Sequence, residues 1–153
     1  MGKVYLGDDF LLYIDTANNW SSPTWVLVEC IEDLAIDPQP ITAQINKRGK
    51  KTPGYKRGRF DQMLSFKLLN SEDDTEFDAI ENAIWNQTND GTEILHLALV
   101  RGDITVSGNK IWENDFIVSG APLDPSLDEG ASYDVECKPA ADSDEELTVG
   151  TTS

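Results

Sequence analysis

Two alternating stretches on either side of a basic segment constrain this chain more than anything else in it. From Ile41 to Lys47, the apolar residues Ile41, Ala43 and Ile45 fall on one side, and Thr42, Gln44 and Asn46 fall on the other. A period of two is the signature of a β-strand with one face in water. From Arg59 to Leu69, Phe60, Leu64, Phe66 and Leu68 share one face, while Asp61, Ser65 and Lys67 share the other with Met63. At about 3.3 Å per residue this second strand alone reaches about 36 Å. The two predict a long extended hairpin over residues 41–69. The segment between them, RGKKTPGYKRG, carries three glycines and a proline and reads as a mobile loop over 47–59 rather than a tight turn.

That loop holds Lys47, Arg48, Lys50, Lys51, Lys56, Arg57 and Arg59 without one carboxylate. The whole chain has 12 Lys and Arg against 28 Asp and Glu, a net charge of −16. The residues outside the loop therefore hold only 5 basic side chains against all 28 acidic ones, a net of −23. A body of that sign repels DNA, RNA and anionic membranes, which excludes a whole-surface nucleic-acid binder. A basic arm on an acidic body suits a molecule that meets copies of itself; the alternative reading is a solvated flexible loop.

Around the hairpin the chain reads as mainly β. FLLYID (Phe10 to Asp15) and TWVLVEC (Thr24 to Cys30) are strands separated by the turn formers TANNWSSP. Pro38-Gln39-Pro40 lacks amide donors and predicts a connection or a sheet edge. Residues 71–87 predict one helix: acidic residues crowd its first turn, Ser71 is placed to cap it, and Phe77, Ile80, Ala83 and Ile84 form its apolar stripe. Thr92 to Val100 is apolar on both faces and predicts a central strand. Lys110 to Val118 and Ala131 to Lys138 are further strands, with APLDPSLDEG as a loop between them. Residues 140–153 are small, polar and acidic, and predict a flexible tail beyond a domain of residues 1–139. The sum is an antiparallel β-sandwich or partly closed barrel of about seven strands with one flanking helix.

Little points to chemistry. With 28 carboxylates, adjacent pairs such as Asp8 and Asp9 carry no catalytic information. His96 is the sole histidine and has no partner motif for a triad or a zinc site, so it reads as a satisfied core group or a solvated strand residue. GKKTPGYK fails as a phosphate loop because Tyr55 stands where the lysine belongs. DPSLDEG lacks the alternating oxygen ligands of a calcium loop. Trp20, Trp25, Trp85 and Trp112 read as core or interface packing rather than stacking groups for a ligand. No catalytic residue, metal or cofactor is expected. Cys30 and Cys137 make neither a metal knuckle nor a redox pair, no run reaches the roughly 18 apolar residues of a membrane span, and MGKVYLGDDF lacks the parts of a secretion signal. The expectation is cytoplasm and free thiols, with a disulfide between the two left open.

The order of parts carries a resemblance. Strand LLYID, strand PTWVLV, the alternating hairpin with its loop, the helix FDAIENAIWNQT, and the closing GDITVSG, DFIVSG and PLDPSLDEGASYDVECKPA are similar to the tail tube (major tail) proteins of long-tailed bacteriophages. The resemblance spans about residues 3 to 139. It implies a β-sandwich with a flanking helix, six copies of which form a ring, with rings stacking into a hollow virion tail through which the genome passes into the host. It also implies assembly in the host cytoplasm, and tape measure, terminator and distal tail proteins as further partners. On that plan the extended hairpin lines the channel or the ring interface through Thr42, Gln44, Asn46, Asp61, Ser65 and Lys67. The basic residues of the loop would meet the neighbouring ring. Two other readings stand beside it: a tail terminator or adaptor, and a nucleic-acid-binding module that uses the basic loop with Tyr55 and Phe60 as stacking groups.

Overall fold

A computed structural model describes residues 9–69, 74–88, 91–126, 130–141 and 148–152. In chain order the elements are β1 (Phe10–Asp15), β2 (Trp25–Leu27), β3 (Ile31–Ile45), β4 (Gly54–Leu69), α1 (Thr75–Trp85), β5 (Leu95–Arg101), β6 (Lys110–Gly120), β7 (Leu123–Ser126), β8 (Gly130–Pro139) and β9 (Thr148–Thr151). The strands form one antiparallel sheet in the order β2-β1-β5-β6-β8-β4-β3, with β7 added to β8 and β9 to β6. The fold is mainly β with one helix, as the sequence predicts, and the sheet is not closed.

Strand β5 is central because both its faces are covered. Leu95 and Leu97 join Leu12, Ile14, Leu64, Phe66, Leu68 and Val135 in the main core under α1, while Ala98 and Val100 pack with Tyr13 and Ile111 on the opposite face. The helix contributes Phe77, Ile80 and Ala83 to that core. Ile80 is wholly enclosed; burying a side chain of this size stabilises by about 1.5–3 kcal/mol. The helix is shorter than predicted. It starts at Thr75 with Asp74 as an N-cap that makes no side-chain cap bond, and the predicted cap Ser71 lies outside the described residues. It ends because Asn86 turns extended, its Oδ1 accepting from the Thr88 amide at 2.9 Å, a local bond that competes with the helix.

The hairpin is longer than the alternation suggests and its loop is shorter. Strand β3 runs through Pro38 and Pro40, which face Gln62 and Phe60 on β4. It tolerates them because it is the outermost strand of the sheet, where alternate amides point away from the ladder and need no partner strand. Strand β4 begins at Gly54, so Lys56, Arg57 and Arg59 lie in a strand and the turn shrinks to 46–53. Two register shifts interrupt the pairing. One, at Asp33 with its positive φ of 54°, adds a residue to β3; the other adds a residue to β4 between Arg57 and Phe60.

Two further expectations are revised. The predicted loop after Ala121 is largely a hairpin, with Leu123–Ser126 paired to Tyr133–Gly130. The predicted flexible tail returns to the sheet at its end, where Thr148–Thr151 pairs with Glu113–Lys110. Thr152 locks it: its amide donates to the Asn109 carbonyl at 2.7 Å, and its carbonyl accepts from the Gly108 amide at 2.8 Å. The side of β6 that pairs with β8 from Phe116 onward is open before that point, so a short β-branched segment completes its ladder. Residues 142–147 lie outside the described residues.

Although β2 and β3 sit at opposite ends of the sheet order, only Val28, Glu29 and Cys30 separate them in the chain. The Val28 amide donates to the Leu12 carbonyl at 2.9 Å, and the Leu69 amide donates to the Cys30 carbonyl at 2.8 Å. The sheet therefore curls until its ends approach without pairing, leaving a seam between β1 and the start of β3.

Candidate assembly surface: the hairpin and the polar sheet face

Directly paired residues of an antiparallel ladder share a face, so the register defines the surface. On the outer face of the body, Lys67 lies opposite Glu32 on β3 and Asp134 on β8. Ser65 lies opposite Ala35 and Glu136, and Met63 opposite Asp37. Lys138 faces Ile117 of β6. This face thus holds Glu32, Asp37, Asp134 and Glu136 against Lys67 and Lys138. Lys67, the one cation among the predicted lumen residues, is flanked by carboxylates on both neighbouring strands, so the face stays acidic.

Toward the tip the chemistry changes. Thr42 pairs with Arg57 and Gln44 with Tyr55, while Ala43 pairs with Lys56 and Ile45 with Gly54. Alternation along β3 carries Thr42 and Gln44 onto the side of Ile36, whereas Ser65 and Lys67 lie on the other side with Ala35 and Asp37. The predicted polar residues therefore do not share one face: the structure brings Ser65 and Lys67 together, and separates them from Thr42 and Gln44. Asn46 sits where the turn begins. Arg59 and Asp61 are placed by backbone register alone, Asp61 opposite Gln39, and their side chains lie outside the described residues. Phe60 is likewise placed only by its register with Pro40.

The apolar side of the hairpin is not buried. Ile41 is 58% exposed, Ile45 40% and Tyr55 68%, so the part of the hairpin beyond the body is covered on neither face. Lys47, Arg48, Lys50 and Lys51 crown the turn, all exposed. A Lys50 amide bond to the Lys47 carbonyl at 3.2 Å and Gly49 at φ 88° form the turn itself. The ladder beyond the body and its cationic tip are exposed on both faces.

A second constellation escaped the sequence. His96, 1% exposed, has Nδ1 at 2.9 Å from Asp15 Oδ2 and Nε2 at 2.7 Å from Glu113 Oε1. A ring nitrogen facing a carboxylate must donate, and both do so only in the imidazolium form. Burial pulls the His96 pKa down, but the hydrogen bonds to Glu113 and Asp15, with Asp115 nearby, outweigh it and hold the pKa above its usual value. Burial pushes Asp15 up, yet amide donors from Thr24, Asn19 and Ala17 and the His96 contact prevail and lower it. Trp20 stacks on the imidazole at 4.1 Å and donates from Nε1 to Asp115 at 3.0 Å, and Trp25 packs at 4.7 Å. Both ring nitrogens are occupied, so the group works as a clamp between the β1–β2 loop and β6 rather than as a base. No spacing in the sequence links Asp15, His96 and Glu113, because they sit on three different strands.

The remaining candidates are structural. Trp85 donates from Nε1 to the Tyr133 hydroxyl at 3.0 Å, and that hydroxyl donates to Glu81 at 3.1 Å. Trp112 lies between Arg101 and Lys110 at 5.5 Å from each. Cys30 and Cys137 are free and buried, and burial pushes the Cys137 thiol up to about 12. Among the described residues no group of His, Cys, Asp and Glu is placed to hold a metal ion, and no helix is long and apolar enough to cross a membrane.

Comparison with protein-family models finds no match, and neither does comparison with curated proteins. Solved structures do match. The tail of an empty gene transfer agent particle with C6 symmetry is 14% identical with a TM-score of 0.70, over 96% of this chain and 99% of the other. The SPP1 tail tube is 9% identical with a TM-score of 0.72, over 96% and 79%. The baseplate of the anti-feeding prophage is 8% identical with a TM-score of 0.61, over 98% and 97%. Across nearly its whole length, then, this chain has the fold found in tail and tail tube structures.

Proposed function

We propose that the protein is a structural subunit of a phage-type tail, forming hexameric rings that stack into a hollow tube for genome delivery. The observation that carries this reading is the hairpin: a ladder uncovered on both faces, on an open sheet edge, is an aggregation hazard in a monomer. In a ring of identical subunits the same edges pair, and closure removes the hazard. The fold shared with a C6-symmetric tail and with a tail tube supports the same plan.

The polar sheet face supplies the conduit. DNA carries one charge per about 1.7 Å, so a basic wall would hold it through many phosphate contacts. A wall built from Asp37, Asp134 and Glu136, with Lys67 placed among them, lets it slide. The work is packing and electrostatics, without a chemical step. Ring stacking is a heterologous contact that propagates, and the cationic tip is one half of it.

Negative-stain electron microscopy of the purified protein at high concentration tests the reading. Uniform six-fold rings or tubes are expected, and a strictly monomeric protein would overturn it. The exposed Tyr55 among lysines favours one competing reading, a nucleic-acid module. Submicromolar, steeply salt-dependent DNA binding by the soluble subunit would support that instead.

A further inference from the structure

We infer that the seam between β1 and β3 is the receptor for the hairpin tip of a second copy. The inference rests on the assembly reading above and adds to it where the tip docks. The seam is a cleft of about 660 Å3. Its floor is apolar: Phe10, Leu11, Leu27, Ile31 and Leu34 are each only half-buried. Its lip is acidic, with Glu29, Glu32 and Asp33 all exposed. Cations border it: Lys67 on β4 lies opposite Glu32, and the Arg101 guanidinium lies 5.6 Å from the Phe10 ring centre.

The occupant is argued from complementarity of two kinds. The tip combines exposed apolar groups, Ile45 and Tyr55, with Lys47, Lys50, Lys51 and Lys56. An apolar floor with an acidic lip matches an apolar ladder with a cationic crown. Within one chain, β3 leads away from the seam toward its own tip, so the tip that fits is another subunit's. Partner and receptor are different patches, as a propagating stack requires. Ion pairs formed at the lip would close over a desolvated apolar contact and persist in salt better than exposed pairs.

Charge exchange tests this. K50E/K51E at the tip and E29K/E32K at the lip are each expected to reduce tube yield at least tenfold while leaving the far-ultraviolet spectrum of the subunit unchanged. The chain carrying all four substitutions is expected to recover tubes, since every reversed tip then meets a reversed lip. A benzophenone attached through Tyr55→Cys in the otherwise unchanged chain is expected to cross-link to residues 27–34 of another subunit. Normal tubes from E29K/E32K, no recovery in the fourfold variant, or cross-links confined to other segments would overturn the seam as receptor while leaving self-assembly intact. Absence of tubes from the unchanged protein would overturn both.

Discussion

Asp15 and His96, 81 residues apart, meet through Oδ2 and Nδ1 at 2.9 Å, with both side chains fully enclosed. The contact holds the β1–β2 loop in two ways at once. Asp15 also accepts from the Ala17, Asn19 and Thr24 amides at 3.0, 2.7 and 2.8 Å, and Trp20 lies flat on the imidazole.

Stability should therefore depend on pH from both sides. His96 is raised above 6.5, so its contribution is fully present below that value and is lost as pH rises through its folded-state pKa. Asp15 is lowered below 3.8, so its contribution is present above that value and is lost as pH falls through its folded-state pKa. Tm measured from pH 3 to 10 should peak between the two. His96→Leu should flatten the alkaline limb and cost about 3–5 kcal/mol, because it removes the cation between the buried Asp15 and the half-buried Glu113 carboxylates. An unchanged alkaline limb in that variant would refute the assignment.

Core packing under the helix gives a second expectation. Ile80→Ala should destabilise by about 2–5 kcal/mol in urea titrations, since the site is closed by the sheet below and α1 above. The m-value should stay the same. A loss below 1 kcal/mol would mean that the helix does not seal this core.

Removal of residues 148–153 should expose the Lys110–Glu113 side of β6. We expect faster hydrogen exchange at the Gly108 amide, which donates to Thr152, and a lower Tm. Exchange at Leu97 and Leu99 on β5 should stay slow, because their ladder partners on β1 and β6 remain.

The polar sheet face makes a prediction about conduction. Asp134→Lys with Glu136→Lys would turn an acidic face basic along β8, beside Lys67 and Ser65. Assembled tubes of that variant should retain double-stranded DNA in a steeply salt-dependent way, whereas unchanged tubes should not. Equal retention by both would remove this face from the channel wall.

The sequence made the central elements legible because their cause is local. Leu95 to Val100 is apolar on both faces wherever it lies, and the Phe77, Ile80, Ala83 stripe fits only a helix. What it hid depends on position in the sheet. Pro38 and Pro40 read as an interruption, yet an edge strand accommodates them. Lys56 and Arg57 read as loop because three glycines and a proline surround them, although the strand begins at the second of those glycines, Gly54. The β9 segment has a strand's composition only once the open side of β6 is known. His96 gave no signal because its partners arrive from β1 and β6. How Thr42 and Gln44 lie relative to Lys67 was not legible either, since alternation counts correctly within a strand but carries no record of a bulge in its partner.

That extra residue of β4 between Arg57 and Phe60 shifts the phase of the hairpin. Below it, core and solvent fix which side chains point where; beyond it, the alternation restarts with the opposite parity. Deleting one residue there would remove the bulge yet keep Arg57 opposite Thr42 and Lys56 opposite Ala43, because β3 carries no matching shift. What the extra residue sets is the bend and twist with which the hairpin leaves the body.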